Sequence, residues 1–404
     1  MAVSVHELEL PEVDLNGLER DAALTVLADA RRRHWLARTP LGYVLTHHED
    51  VTAMLRDKRF LSALSLIPEM AGVDDEEFVE SRGKSILSVD GEEHARLRRL
   101  VAPAFTPKAA DRLRPFMREV VNGLVDNVVD AGRCELVEDI CEPYPIPIIC
   151  ELLGAPKEDW KLFSNWATDI FRIFNNDLGN DLPRIKAASA ELDAYVRAMI
   201  DERRATPADD LLSELIAVEQ AGDRLDTDEL VGLAEAVLMA GTDTTRNQLA
   251  CSVALFCEHP DQWAMLADDP GLARRAVEET MRYLGAVRGT MRVAGEDVEY
   301  RGVRFPAGTL VAASFSSGNF DHDVWESPEH FDITKERTTP QLTFGSGIHF
   351  CLGASLARAE LSEALPILAR RMQDLHLDGP IEWKPPTVGI WGPARLPIRF
   401  RPGN

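Results

Sequence analysis

One helical pattern constrains this chain more than any other feature. Apolar residues recur at helical spacing from Asp226 to Cys257, a span unusually long for a globular helix. Such a helix is a candidate for crossing the centre of a fold, with the rest of the chain arranged around it. Helical spacing also marks Asp111–Val129, Trp160–Phe174 and Ile185–Arg203, and it dominates from about Glu92 to Tyr283. Earlier, Gly42–Thr46 reads as a short strand, Asp50–Leu55 as a helix and Ser62–Asp90 as a loop-rich stretch.

After Tyr283 the character changes. Met291–Tyr300, Val303–Phe305 and Thr309–Ala313 read as short strands separated by Gly and Pro. Asp321–Leu342 reads as irregular, Cys351–Met372 as a helix and Ile398–Phe400 as a terminal strand. The expected fold is mainly α with a smaller β-rich region. It forms a single domain over 1–404, helix-rich at about 90–283 and 351–372 and strand-rich at about 40–60, 284–320 and 375–404.

Composition removes several function classes. No run of about 18 apolar residues is present, so no membrane span is expected. The first ten residues lack the basic and apolar regions of a secretory leader. A net charge of −23, from 67 acidic and 44 basic residues, disfavours nucleic-acid binding, which needs clustered Lys and Arg. The acidic run Asp74–Glu77 reads as a solvated face. The six cysteines form no Cys-x-x-Cys pair, which points to a reducing cytoplasm. Five of them read as small core residues.

The sixth, Cys351, ends the run Phe344-Gly-Ser-Gly-Ile-His-Phe-Cys-Leu-Gly353. Gly345 and Gly347 permit tight turns and close approach of a flat ligand, and the sulfur stands at a helix start, where negative charge is favoured. Taken alone, a cysteine here reads more readily as a buried residue at a helix start than as a metal ligand. A dinucleotide loop does not, because Phe350 stands where a third glycine is needed.

Three further groups stand out. Glu279 and Arg282, at i and i+3, share a helix face, and with Arg337 they could fasten the irregular segment to that helix. Ala240-Gly-Thr-Asp-Thr-Thr245 puts poor helix formers in the middle of the long helix. Its Thr hydroxyls compete for backbone carbonyls, and Asp243 beside Thr244 offers an acid and an alcohol for proton delivery. His94 and Arg98 lie one helical turn apart and can grip one anion, while Arg96 and Arg99 form a local basic patch.

Together these residues resemble the cytochrome P-450 superfamily of haem-thiolate monooxygenases, from the His94 helix to the C-terminus. Phe344, Gly347, His349, Cys351 and Gly353 match its haem signature. Glu279 and Arg282 match its Glu-x-x-Arg motif, and Ala240–Thr245 matches its oxygen-binding helix. The resemblance implies the P-450 fold with a long helix over one haem b, and Cys351 as the axial iron ligand. It implies His94, Arg98, Arg292 and His349 as partners of the haem propionates, with Ala240, Gly241, Phe344, Gly345 and Gly353 also against the haem. Asp243 and Thr244 become the proton-delivery pair, and Glu279, Arg282 and Arg337 become structural.

The chain departs from the family pattern in three places. No proline follows Arg282, Arg288 falls where substrate-facing residues usually lie, and the frequent Asn-Arg-Asp run is here Asn319-Phe-Asp321. The implied pocket draws on Leu61–Leu87, Phe163–Phe174 and Val388–Gly392. Leu66, Ile67, Ile86, Phe171, Phe174, Val237, Val287, Ile390 and Trp391 give it an apolar lining, and Arg288 is either an anchor for a carboxylate or carbonyl or else a structural ion pair or haem-edge contact.

The implied reaction inserts one atom of O2 into an apolar small molecule by hydroxylation or epoxidation. The chain stops soon after its terminal strand, so electrons are expected from a separate ferredoxin with an NAD(P)H-dependent reductase, docking near Arg96, Arg99 and Arg358. Oxidative coupling and peroxide-driven oxidation are the nearer alternatives, and Asp243–Thr244 favours O2 over peroxide. A haem carrier or gas sensor would need the axial ligand but not that pair.

Overall fold

The computed structural model describes residues 2–175, 177–222, 225–385 and 389–403. The central helix runs without interruption over Thr227–Glu258. Its 32 residues span about 48 Å at the usual helical rise. A capping box starts it: Asp226 Oδ1 accepts the Glu229 N–H (2.8 Å), and Glu229 Oε2 accepts the Asp226 N–H (3.1 Å). His259 and Pro260 end it. The threonine stretch does not break the helix, because the hydroxyls bond back within it, Thr242 to the Met239 carbonyl (2.8 Å) and Thr244 to the Ala240 carbonyl (2.9 Å).

Helices Pro145–Leu153, Trp160–Ile170, Leu178–Ala205 and Ala354–Arg371 pack around this rod. The main core surrounds it, with Leu233, Leu238, Leu249 and Phe256 buried. A second, smaller core lies on a five-stranded sheet whose order is Leu36–Thr39, Gly42–Leu45, Leu310–Ser314, Gly289–Ala294 and Phe60–Ser62. In its register Arg292 pairs with Ser62 on one side and Val311 on the other. Period-two alternation turns Arg292 to the same buried face as Ala294.

Several sequence expectations need adjustment. The expected strand Met291–Tyr300 is two strands, Gly289–Ala294 and Val298–Tyr300, divided at Gly295. The last long helix begins at Ala354, so Cys351 lies in the turn before it. The loop-rich stretch Ser62–Asp90 contains the helix Glu76–Gly83, which Asp75 caps by accepting the Phe78 N–H (3.0 Å). That helix buries only Phe78, too little to leave a periodic signal. An unexpected helix, Arg20–Arg33, buries Leu27, Ala30 and Arg31. Among the described residues no helix is long and apolar enough to cross a membrane. All six cysteines are free.

Candidate active site

The cysteine loop is a set of nested turns. The Gly345 N–H donates to the Leu342 carbonyl (2.7 Å), the Phe350 N–H to Gly347 (3.1 Å) and the Cys351 N–H to Phe344 (2.9 Å). Gly345 and Gly347 have φ of 69° and 72°, left-handed conformations that favour glycine. At Gly347 a side chain would also collide with the Leu55 carbonyl of helix His48–Arg56. Arg56 Nε donates to Ser346 Oγ (3.0 Å), so that helix braces the loop.

Cys351 is half-buried. Burial pushes its thiol up, against the Gly353 N–H bonded to the sulfur and the positive charges of Arg98 and Arg358. A metal ion at the sulfur would override that burial and displace the proton. Phe344 is buried under the Arg358 guanidinium, 4.5 Å from the ring centroid.

A cation cluster stands beside the loop. His94 is buried, with its ring centroid 4.4 Å from that of His349. Burial, and then the neighbouring charges of His349 and Arg98, lower its pKa to about 4. Arg98 Nη2 donates to the Phe350 carbonyl (2.6 Å) and Arg292 Nη1 to Met291 O (3.0 Å) and Thr290 Oγ1 (3.2 Å). Burial lowers the pKa of both arginines. The carboxylate neighbour of Arg292 is Asp90, 2.8 Å from His349 Nε2 and accepting the Ser62 N–H at 2.8 Å, while the charge beside Arg98 is that of Cys351. Burial raises the Asp90 pKa, but these two bonds outweigh it and hold the group low. Asp90 was not foreseen. Its signal was an acid just ahead of the His94 helix, which the strand pairing Ser62–Arg292 brings to this corner.

On the central helix Ala240 is exposed although Val237–Met239, Thr242 and Asp243 are buried. Thr244, one turn on, is half-buried. Gly241 packs in another direction: a Cβ there would stand 2.7 Å from Ile149 Cγ1 of helix Pro145–Leu153. Val237, expected in the pocket, is buried in the main core one turn before Gly241. Asp243 is ion-paired with Arg246, a partner visible at i+3, and Lys384 Nζ lies 4.0 Å away, a neighbour only the tertiary fold supplies. Thr245 Oγ1 is 3.2 Å from the carboxyl of Glu360, which burial holds well above the usual carboxylate range.

The Glu279 carboxylate accepts from Arg282 (2.8 and 2.9 Å) and from Arg337 (2.7 and 3.0 Å). Arg282 also donates to the carbonyls of Asn319 (3.0 Å), Pro328 (2.8 Å) and His330 (3.2 Å). One buried guanidinium thus ties the irregular segment ahead of the cysteine loop to its helix.

Three parts of the expected pocket wall meet. The Phe171 and Phe174 rings stack at 5.8 Å, and Phe174 abuts Gly389 so closely that a side chain there has no room. Ile390 bridges Val287, and the Trp391 N–H donates to the Ala286 carbonyl (2.9 Å). Arg288 lies over the Trp391 ring, 5.3 Å from its centroid, and burial lowers its pKa. Ile86 is half-buried against the main core. Ile67 packs with Phe78, Ile173 and Phe174, and Leu66 ends the short turn before it. Val388 lies outside the described residues.

Of the cations expected to dock a donor, Arg96 pairs with Glu229 and Arg358 with Glu278, while Arg99 is exposed and donates from Nε to the Ala95 carbonyl of its own helix (3.2 Å).

These residues fit a haem. The half-buried thiol is a soft metal donor, and Gly353 has no atom within 4 Å of a built Cβ, leaving room for a flat ring beside it. Arg292, His94 and His349 lie around the Asp90 carboxylate and Arg98 lies beside Cys351, a surplus of donors suited to two propionates.

Comparison with known proteins agrees. Residues 150–269 and 262–373 match the family described as Cytochrome P450. The chain is 36% identical to luteothin monooxygenase of Streptomyces thioluteus over 93% of its own length and 92% of the relative's. It is 39% identical to nocardicin C N-oxygenase of Nocardia uniformis subsp. tsuyamanensis, covering 90% and 91%. Identity to the mycinamicin IV hydroxylase/epoxidase of Micromonospora griseorubida is 37%, covering 89% and 91%. Its fold superposes with a TM-score of 0.87 on P450BioI, solved with an acyl carrier protein bearing hexadec-9Z-enoic acid, at 29% identity and 94% and 99% coverage. The chain therefore belongs to the cytochrome P450 family and is a haem-thiolate monooxygenase.

Proposed function

We propose that the chain binds one haem b, with Cys351 as axial ligand and His94, Arg98, Arg292 and His349 around the propionates. We further propose that it hydroxylates or epoxidises an apolar small molecule in the cytoplasm, with electrons from a separate ferredoxin and its NAD(P)H-dependent reductase. The observation that carries this reading is the half-buried Cys351 held by nested turns beside a cluster rich in cations. The six free thiols suit a reducing compartment. Hydroxylation and epoxidation are the reactions named for the Micromonospora relative.

The haem, once bound, supplies O2 activation and the oxidation itself. The chain's residues do the rest. Cys351 would hold the iron and supply thiolate electron density to it. The Thr244 hydroxyl, now bonded to Ala240 O, needs only a side-chain rotation to donate away from its helix. Asp243 relays protons to it from the side of Arg246 and Lys384. Phe171, Phe174, Val287, Ile390 and Trp391 exclude water and orient the apolar body of the substrate. The stacking of Arg288 on Trp391 supports a structural role for that cation over a substrate anchor.

The test is the absorption spectrum of the reduced holoprotein under carbon monoxide. The long-wavelength band of thiolate ligation is expected, and Cys351→His should lose it while still binding haem. The same band in Cys351→His would sink the assignment.

A further inference from the structure

Asp243 stands between cations from two parts of the chain. Arg246, on the same helix, makes the ion pair and is itself held by Thr168 Oγ1 (3.1 Å) and Ser164 Oγ (3.4 Å). Lys384 Nζ reaches the same Asp243 oxygen at 4.0 Å from the opposite end of the sequence. It follows strand Glu382–Trp383, which pairs with Pro393–Arg395.

This position is built. The Lys384 N–H donates to the Gly392 carbonyl (3.0 Å), and Trp391 Nε1 donates to the Lys384 carbonyl (2.9 Å). Trp383 and Trp391 stack with centroids 4.5 Å apart and planes within 3°. Gly392 touches the central helix: a Cβ there would stand 2.9 Å from Asn247 Oδ1, and Asn247 Nδ2 donates to the Asp243 carbonyl (2.7 Å). The hairpin is therefore fixed on the helical turn that carries the acid.

Lysine is a costly choice at this place. Burial lowers its pKa, with Asp243 pulling the other way. An apolar side chain would avoid that desolvation. Asp243 is the one carboxylate within ion-pair distance of Lys384 among the described residues. The charged and titratable groups around the pair are Arg246 and Cys251 on the central helix and Glu142, whose carboxylate lies 3.7 Å from Arg246.

We propose that Lys384 is a positioning residue for Asp243, sharing its carboxylate with Arg246 so that the proton carrier is not locked to a single partner. This rests on the reading of Asp243 as a proton relay. With Lys384 removed, Asp243 is left to Arg246 alone and gives up its proton more slowly.

The test uses the holoenzyme with a ferredoxin–reductase pair and follows substrate-free NAD(P)H oxidation to peroxide in H2O and D2O across pH. Lys384→Met should raise the solvent isotope effect by about twofold and displace the pH profile, and Lys384→Arg should restore both. A second readout needs no turnover: in denaturation of the holoproteins, Asp243→Asn should cost less in the Lys384→Met background than in wild type. If Asp243→Asn leaves the isotope effect unchanged, the relay reading itself fails. If Asp243→Asn changes it but Lys384→Met does not, or if the two substitutions are additive in stability, the role of Lys384 is overturned.

Discussion

Glu235, on the central helix, shows how one side chain can couple stability to pH. Burial, reinforced by the charge of Asp193, raises its pKa from 4.5 to about 7, while Arg82 and Arg197 oppose the shift. The folded chain keeps a proton that the unfolded chain releases. Stability from this group is therefore fully present below about pH 4.5 and is lost as pH rises through about 7. Glu235→Gln should flatten that slope and add on the order of 2–3 kcal/mol at pH 8, with little change at pH 4.5. Denaturant midpoints at the two pH values decide it; equal gains at both would assign the effect to something other than the proton.

At the scale of elements, the irregular segment 321–342 holds its shape through Glu279, Arg282 and Arg337 rather than through a ladder of its own. Arg282 and Glu279 are almost fully buried, so Glu279→Gln strands charge and should cost about 3–5 kcal/mol. Arg337→Met leaves the inner pair intact and should cost about 1–2 kcal/mol, seen in urea unfolding, with faster amide exchange confined to 321–342. Equal losses for the two variants would contradict this division. The cluster was legible in the sequence because two members sit at i and i+3. The central helix was legible from its period, but its capping box of Asp226 and Glu229 emerged only with the structure. The helix Glu76–Gly83 was not, since a single buried Phe78 makes no pattern. Asp90 and Lys384 were hidden for another reason: each meets a partner far away in the sequence, His349 and Asp243 respectively, and no local spacing records that.

For the whole molecule, a charge of −23 makes any exposed cation near the cysteine loop weigh heavily if the proposed acidic ferredoxin docks there. Arg96 is a poor probe of that surface, because its partner Glu229 belongs to the cap of the central helix and reversing its charge would disturb that cap. Arg99 is cleaner. Arg99→Glu should slow reduction by ferredoxin about 3- to 10-fold at low ionic strength and weaken its salt dependence, with the carbon monoxide spectrum unchanged. Stopped-flow reduction at two salt concentrations measures both, and an unaltered rate would place the docking surface elsewhere.

The bracing of the cysteine loop by helix His48–Arg56 also sets an order of events during synthesis. The ribosome releases that helix, the His94 and Arg98 turn and the Arg292 strand before it releases Cys351. A nascent chain thus carries the cations proposed for the propionates long before it owns the proposed iron ligand, and the two meet only when the loop folds back onto the Leu55 carbonyl. Secure loading with the proposed haem becomes a late step, reserved for chains already extended past Cys351.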